Sequence, residues 1–234
     1  MDETLIRQHL AAAYNLVHHY GWDDLIYTHI SCRIPGTEYF LINQYGMLFD
    51  EVTASNLVKV DLAGNVIGQG SINPAGYVIH SAVHEARPDI QCVIHTHTTT
   101  GVAVSIDQDG LWPISQFAML VLDSLSYHDY YGLAVNLDEK QLLKKNLGSN
   151  NYMILRNHGL LTVGKTVGDS FLNMYKLQRA CDIQVNCVKD RSITFDNTLM
   201  QNNREAKDKL DSITRVPWNA LLRIVERNYP RYKS

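Results

Sequence analysis

The chain has 234 residues, of which 45% are hydrophobic, 19% charged and 9% aromatic. This length predicts one domain, or at most two, with a sizeable core, and the hydrophobic share argues against extended disorder, collagen and coiled coil. The formal net charge of −3 leaves no large basic surplus to neutralise phosphates. No GxGxxG or GKS/T loop is present, so we expect neither a nucleic-acid partner nor a nucleotide site.

The lack of a recognisable signal peptide or membrane span, together with the cysteine usage, predicts a cytoplasmic protein. The chain begins MDETLIRQHL, which lacks the basic start, apolar run and cleavage site of a signal peptide. No run of 18 apolar residues occurs, so we expect no membrane span. The four cysteines contain no CxxC pair and are typical of reduced, packed thiols rather than of a disulfide framework or a zinc ribbon.

The first half of the chain alternates between helical and strand-like patterns. Apolar residues at helical spacing up to Tyr20, with Gly21 as a stop, predict an amphipathic helix. Pro35-Gly36 and residues 62–65 are typical of turns between strands. The elements predicted here are a helix at 4–20, strands at 25–34 and 39–43, a hairpin of 57–61 with 66–68, a helix at 74–87, a strand at 92–95 and a helix at 98–105.

The second half continues this alternation and ends in a more polar stretch. Its predicted elements are a helix at 138–146, a strand at 152–155, a turn at 157–159, a strand at 160–163, a helix at 166–191 and a helix at 217–228. We therefore expect an α/β or α+β fold in three layers, with one domain over 1–191 and a polar C-terminal extension over 192–234. The extension could dock on its own domain or on a neighbouring subunit.

The 10 histidines are the most informative feature of the sequence. His95 and His97 occupy alternate positions of a predicted strand, which places both imidazoles on one face, roughly 6–7 Å apart. His158 follows another strand, where Gly159 permits a tight turn. Three neutral imidazoles with one open position form a catalytic type of site for zinc, or for manganese, iron or cobalt.

Other interpretations of these histidines stay open. An HxH pair also arises by chance, and a single histidine is commonly a surface residue or a hydrogen-bonded core residue. His80 and His84 lie four residues apart on a predicted helix, a spacing that also suits a metal. This pair lacks the HExxH pattern, because Ser81 follows His80.

Several segments in the right order resemble the class II aldolase/adducin family, over roughly residues 5–190. Within it, the chain is closer to the adducin head domain and bacterial adducin-like proteins than to sugar-phosphate aldolases. The segments that carry the resemblance are 25–31, 40–46, 51–59, 73–97, 127–132 and 155–160. The resemblance implies a three-layer α/β/α sandwich with a mainly antiparallel central sheet, a homotetramer with sites at subunit interfaces, and a metal held by His95, His97 and His158.

The chain departs from the aldolases of this family at their proton-transfer and phosphate positions. Those enzymes carry a glutamate, both metal ligand and acid/base, where this chain has Gly76. Pro74-Ala75 and Tyr45-Gly46 stand in place of the residues that hold substrate phosphate, and Thr28-His29-Ile30-Ser31 in place of Gly-Asn-hydrophobic-Ser. These departures argue against a standard sugar-phosphate aldolase.

Two functions follow from this combination. The first is a metal-dependent lyase that cleaves a small hydroxy or keto acid, or a sugar-like substrate, through an enolate, by retro-aldol cleavage or decarboxylation. Tyr127, His128 and Tyr130 are the candidates for proton transfer, although the tyrosines could instead pack at an interface. His29 and Ser31 are the candidates for substrate binding. The second function is a non-catalytic adducin-like binding or assembly domain that retains the metal pocket.

Overall fold

A computed structural model of the chain describes residues 2–132, 137–196, 198–199 and 215–234. The described helices include α1 (Glu3–His19), α2 (Pro74–Ala86), α3 (Thr99–Ser105), α4 (Gln116–Leu122), α5 (Leu137–Leu147), α6 (Val167–Val185) and α7 (Arg215–Asn228). The strands are β1 (His29–Arg33), β2 (Tyr39–Ile42), β3 (Val58–Asp61), β4 (Val66–Ile67), β5 (Cys92–Thr96), β6 (Leu125–His128), β7 (Tyr152–Leu155) and β8 (Gly159–Gly164). None of the helices in these ranges is long and apolar enough to cross a membrane.

The strands form one central sheet in the order β4-β3-β2-β1-β5-β8-β7-β6. Neighbouring strands are antiparallel, except that β6 runs parallel to β7 at the edge. The centre of the sheet pairs β1 with β5 and β5 with β8, and this register places His29 directly opposite His95. The mainly antiparallel sheet that the family resemblance implied is confirmed.

The sheet is covered by helices on both faces, because successive side chains of its strands point to opposite sides. Ile30 of β1 and Ile94 of β5 belong to a core shared with α1, α6 and α7. Val93 and Leu161 point the other way, into a second core with α2 and α5. The predicted α/β/α sandwich is therefore confirmed, and His29 and His95 lie on the α2 side of the sheet.

Most predicted elements are present within a few residues of their predicted ends, with three differences. Residues 25–28 form a turn rather than the start of β1, and Leu25 has a φ of 49° there. Helix α6 ends at Val185 rather than at 191, because the Asn186 side chain caps it by donating to the Asp182 carbonyl. Helix α4 and strand β6 were not predicted from the sequence.

Helix α7 packs against helices α1 and α6 of the same chain. The Trp218 side chain is buried against Gly168 and Phe171 of α6, and its indole N–H approaches His9 of α1. Residues 197 and 200–214, which connect α7 to the rest, lie outside the described residues. The division between 1–191 and 192–234 therefore stays a prediction.

Candidate metal centre

The three predicted histidines converge at one end of the central strands. His95 lies on β5, His97 follows the end of that strand, and His158 lies in the turn between β7 and β8. The Nε2 atom of His97 lies 2.8 Å from Nε2 of His95 and 2.9 Å from Nε2 of His158. In the described part of the chain, these three are the only group of histidine, cysteine and carboxylate side chains found close enough together to hold a metal.

Tight backbone packing brings His158 to this position. Asn157 adopts a left-handed conformation with a φ of 57°, which turns the chain sharply before β8. At Gly159 an added Cβ would lie only 2.4 Å from the Thr96 carbonyl oxygen. Glycine at this position therefore lets β8 approach β5 closely enough for His158 to reach His97.

The outer nitrogens of two of these rings are fixed by hydrogen bonds. His95 Nδ1 donates to the Leu160 carbonyl at 2.9 Å, and His97 Nδ1 pairs with the Asp24 carboxylate at 2.9 Å. Because both partners are acceptors, each neutral ring carries its proton on Nδ1 and directs an Nε2 lone pair at the other. Hydrogen bonds of this kind orient the histidine ligands of metal sites.

This donor set fits a divalent cation. Two bare nitrogen lone pairs 2.8 Å apart repel each other unless a cation lies between them. Burial, followed by the neighbouring His97 and His158, holds the pKa of His95 well below its usual range. Burial and His97 lower the pKa of His158 to about 4. Near neutral pH, both rings are therefore in the neutral form, in which one ring nitrogen has a lone pair that can bind metal.

Sequence reasoning missed Asp24, which lies in the loop between α1 and β1. It is 73 positions away from His97 in the chain, and only the tertiary fold brings their side chains together. No local spacing pattern could have identified it.

The side chain of His29 lies over Gly76, the position that carries a glutamate in the aldolases of the family. A Cβ at Gly76 would lie 2.7 Å from Cδ2 of His29 and 3.0 Å from its Cγ. The His29 ring also lies beside the His95 ring, with 5.2 Å between their centroids. Space that a longer side chain at position 76 would need is therefore taken by the imidazole of His29.

Ser31, the second predicted substrate-binding residue, is buried behind His29. Its hydroxyl contacts His80 Nδ1 at 2.5 Å and His84 Nε2 at 2.7 Å, and its exposure is 0%. The alternative metal pair, His80 and His84, is thus joined by the Ser31 hydroxyl. His80 Nε2 in turn lies 2.8 Å from His29 Nδ1.

The three predicted proton-transfer residues occupy different surroundings. His128 is buried, accepts from the Asn146 amide at Nδ1 and faces Glu139 with Nε2 at 3.3 Å. Tyr130 is 52% exposed, and its ring centroid lies 6.5 Å from that of His158. Tyr127 instead packs into the core on the opposite face of the sheet, and its hydroxyl accepts from the Leu111 N–H. The structure thus brings Tyr130 toward the metal centre, but not Tyr127.

Comparison with known proteins agrees with this architecture. Residues 8–185 match the family described as Class II Aldolase and Adducin N-terminal domain. The chain is 49% identical to mouse alpha-adducin over 189 residues, which cover 78% of this chain and 26% of adducin.

Two solved structures are similar over nearly the whole chain. An aldolase II superfamily protein from Pseudomonas syringae has a TM-score of 0.96 and 43% identity, covering 100% of this chain and 96% of its own. An L-fuculose 1-phosphate aldolase from Glaciozyma antarctica has a TM-score of 0.83 and 25% identity, covering 97% and 92%. The chain is more similar in sequence to alpha-adducin than to this fuculose-phosphate aldolase, which agrees with its resemblance to adducin head domains. The chain belongs to the class II aldolase and adducin family.

Proposed function

We propose that this protein is a metal-dependent carbon–carbon lyase that acts on a small hydroxy or keto acid, or on a sugar-like substrate. The reaction would pass through an enolate, by retro-aldol cleavage or by decarboxylation. The observation that carries the proposal is the convergence of His95, His97 and His158 through their Nε2 atoms. We further propose that the protein acts in the cytoplasm, as its cysteine usage predicts, and that it forms a homotetramer, as the family resemblance implies.

The three histidines are the residues that would hold the ion, which we propose to be zinc, with manganese, iron and cobalt as alternatives. A divalent ion supplies Lewis-acid polarisation of a substrate oxygen, which favours negative charge on that oxygen. The contribution of the protein is to fix the rings. Leu160 and Asp24 hold the outer nitrogens of His95 and His97, so the rings need not reorganise when the ion binds.

Proton transfer requires a group close to the reacting carbon. Tyr130 is half exposed and its ring lies beside that of His158, so we propose its hydroxyl as the proton-transfer group at this centre. His128 is the second candidate. Its Nδ1 accepts from Asn146, so its proton lies on Nε2 and faces Glu139, a carboxylate that can hold the ring in that tautomer. We leave Tyr127 out of the proposed mechanism, because its hydroxyl lies on the other face of the sheet.

Cleavage of a standard sugar phosphate is not proposed. Gly76 offers no carboxylate, and His29 occupies the space above it. The chain is similar to an L-fuculose 1-phosphate aldolase in fold. However, Pro74-Ala75 and Tyr45-Gly46 stand at the positions of the phosphate pocket in place of the small hydroxyl side chains of the aldolases.

A non-catalytic binding or assembly domain with a retained metal pocket is the second candidate. The 49% identity to alpha-adducin, compared with 25% to the fuculose-phosphate aldolase, favours it. A protein with that function would bind the metal at this centre but would catalyse no reaction.

The experiment that separates the two is a screen of the zinc-loaded protein for aldehyde, ketone or carbon dioxide release. The panel contains small hydroxy acids, keto acids and unphosphorylated sugars, with L-fuculose 1-phosphate included as the standard aldolase substrate. We expect cleavage of an acid or sugar, little cleavage of the phosphate, and loss of activity in H95A/H97A.

Two further variants test the proton-transfer candidates. Y130F and H128A should each lower kcat by about 10²–10⁴-fold, the usual contribution of a positioned acid or base. Y39F is the matched control, since Tyr39 lies at the opposite end of β1 and β2 from the histidines. No turnover with any compound, from protein that carries its metal, would reject the lyase and leave the binding domain.

A further inference from the structure

A second group of buried polar side chains lies behind the metal centre and forms a continuous hydrogen-bonded chain. His29 Nδ1 lies 2.8 Å from His80 Nε2, His80 Nδ1 lies 2.5 Å from Ser31 Oγ, and Ser31 Oγ lies 2.7 Å from His84 Nε2. The exposure of these four residues is 2% or less. The chain begins beside the metal ligand His95 and ends in the interior, next to Phe40.

Burial keeps the three imidazoles neutral. His29 is 2% exposed, and a buried imidazolium without an anionic partner is costly. Desolvation, followed by the neighbouring His84, lowers the pKa of His80 well below the usual range. Desolvation, and then the Arg33 guanidinium, lowers the pKa of His84 to about 3. Each ring therefore carries one proton at neutral pH, and the Ser31 hydroxyl carries one more.

Counting these protons leaves two possible arrangements. Four polar protons serve three hydrogen bonds, and each bond uses one of them. If the Ser31 hydroxyl accepted from both histidines, its own buried proton would have no acceptor among the described residues. The hydroxyl therefore donates to one histidine and accepts from the other, and all three bonds point the same way along the chain. The surplus proton then lies at one of the two ends, on His29 Nε2 or on His84 Nδ1.

The interior end is a poor place for that proton. His84 Nδ1 is buried and has no hydrogen-bond partner among the described residues. Arg33 lies beside it and donates to the His84 backbone carbonyl, and the Arg33 Nε is itself a buried donor for which the described residues provide no acceptor. A bare nitrogen at His84 Nδ1 suits the field of this cation, whereas an N–H there would place one unpaired donor near another.

We propose that the chain of hydrogen bonds runs from His84 through Ser31 and His80 to His29, so that His29 holds its proton on Nε2 and donates it to a substrate oxygen. Among the described residues, the hydrogen bond found for the His29 ring is at Nδ1, which leaves Nε2 available to a ligand. The identity of the acceptor rests on the proposed function: it is the oxygen that gains negative charge as the enolate forms.

This arrangement gives the four residues distinct roles. His29 is the group that touches the substrate, and it acts as a neutral donor rather than as a cation. Ser31, His80 and His84 are positioning residues, and Arg33 sets the direction of the chain through its charge. The structure thus assigns Ser31 to fixing the His29 tautomer and not to contact with substrate, since its hydroxyl is already engaged on both sides.

The test is nuclear magnetic resonance of the zinc-loaded, ¹⁵N-histidine-labelled full chain at neutral pH. Long-range ¹H–¹⁵N correlation distinguishes the two neutral tautomers of each ring, and single-histidine substitutions assign the signals. We expect His29, His80 and His84 all to be protonated on Nε2 and bare on Nδ1. Protonation of His29 and His84 on Nδ1 would overturn the proposal.

Two variants show whether the tautomers are set through the chain. S31A removes the link, so His29 and His84 should no longer share one tautomer, and R33M should shift all three rings toward the Nδ1–H form. T28V is the matched control, because the buried Thr28 hydroxyl on the neighbouring residue has no partner among the described residues. Unchanged tautomers in R33M, or a shift in T28V as large as in S31A, would reject the chain.

The tautomer measurement is independent of turnover. If the tautomers are as expected and no substrate is cleaved, the hydrogen-bonded chain stands and the lyase function fails. If an active enzyme shows Nδ1–H at His29, the function stands and the chain fails. In an active enzyme, H29A should lower kcat by about 10²–10³-fold, the usual effect of removing one donor to a developing oxyanion.

Discussion

Removal of the Asp24 carboxylate should weaken metal binding without disturbing the fold. Asp24 accepts from His97 Nδ1 at 2.9 Å, which fixes the ring and makes Nε2 a better ligand. Loss of such a hydrogen bond costs about 10- to 100-fold in metal affinity, or about 1.4–2.8 kcal/mol. Because the Asp24 side chain is 41% exposed, water can replace part of the interaction, so we expect D24A to lie near the 10-fold end.

The assay is competition for zinc against a fluorescent chelator, with urea unfolding of the metal-free proteins alongside. D24N, which keeps an acceptor oxygen but not the charge, should fall between wild type and D24A. D23A is the matched control: the adjacent Asp23 makes the same type of contact, at 2.8 Å, but to His18. Equal zinc affinity of D24A and D23A would refute the idea that Asp24 orients a metal ligand.

Three further predictions concern the packing and titration of the same histidines and the docking of α7. G76A should lower the free energy of unfolding by about 1–3 kcal/mol in urea, because its Cβ would lie 2.7 Å from the His29 ring. In the double variant G76A/H29A, part of that loss should be recovered. Losses of the two single variants that simply add in the double variant would contradict the contact. Histidines of the unfolded chain take up protons near and below pH 6.5, whereas the folded pKa values of His84 and His158 are about 3 and 4. The metal-free protein should therefore lose about 1.6 kcal/mol of stability through each ring between pH 6.5 and pH 5. A stability that stays flat over this range would show that these rings are not held neutral. W218A should cost about 3–5 kcal/mol in the same assay while the zinc content stays unchanged, and a loss well under 1 kcal/mol would mean that α7 is not docked as described.

The site residues that could be predicted from the sequence are those whose positions depend on local spacing. His95 and His97 could be assigned to one face because strand periodicity acts over two residues, and Asn157-His158-Gly159 signals a turn by its own composition. The three-layer fold follows similarly, since periodicity and turn residues identify most helices and strands. Asp24 could not be predicted, because its contact depends on how distant segments meet.

Because strand β6 was not predicted, the proton-transfer candidates could not be assigned to a face of the sheet. The apolar run of six residues in α4, 117–122, is too short for periodicity to separate helix from strand. The segment that forms β6 is only four residues long and gives no clear strand pattern. Had β6 been predicted, its two-residue period would have placed Tyr127 and His128 on opposite faces. The link between His29 and Ser31 through His80 also requires α2 to lie across β1, which no spacing in the sequence reveals.

Metal stoichiometry tests the central claim most directly. Elemental analysis of purified wild-type protein, after reconstitution with zinc, should find about one divalent ion per chain. That ion should be lost in H95A/H97A and retained in H19A, which removes an exposed histidine of α1. Wild-type protein that binds no metal would contradict the account. An equal metal content in H95A/H97A would also contradict it, and would direct attention to His80 and His84.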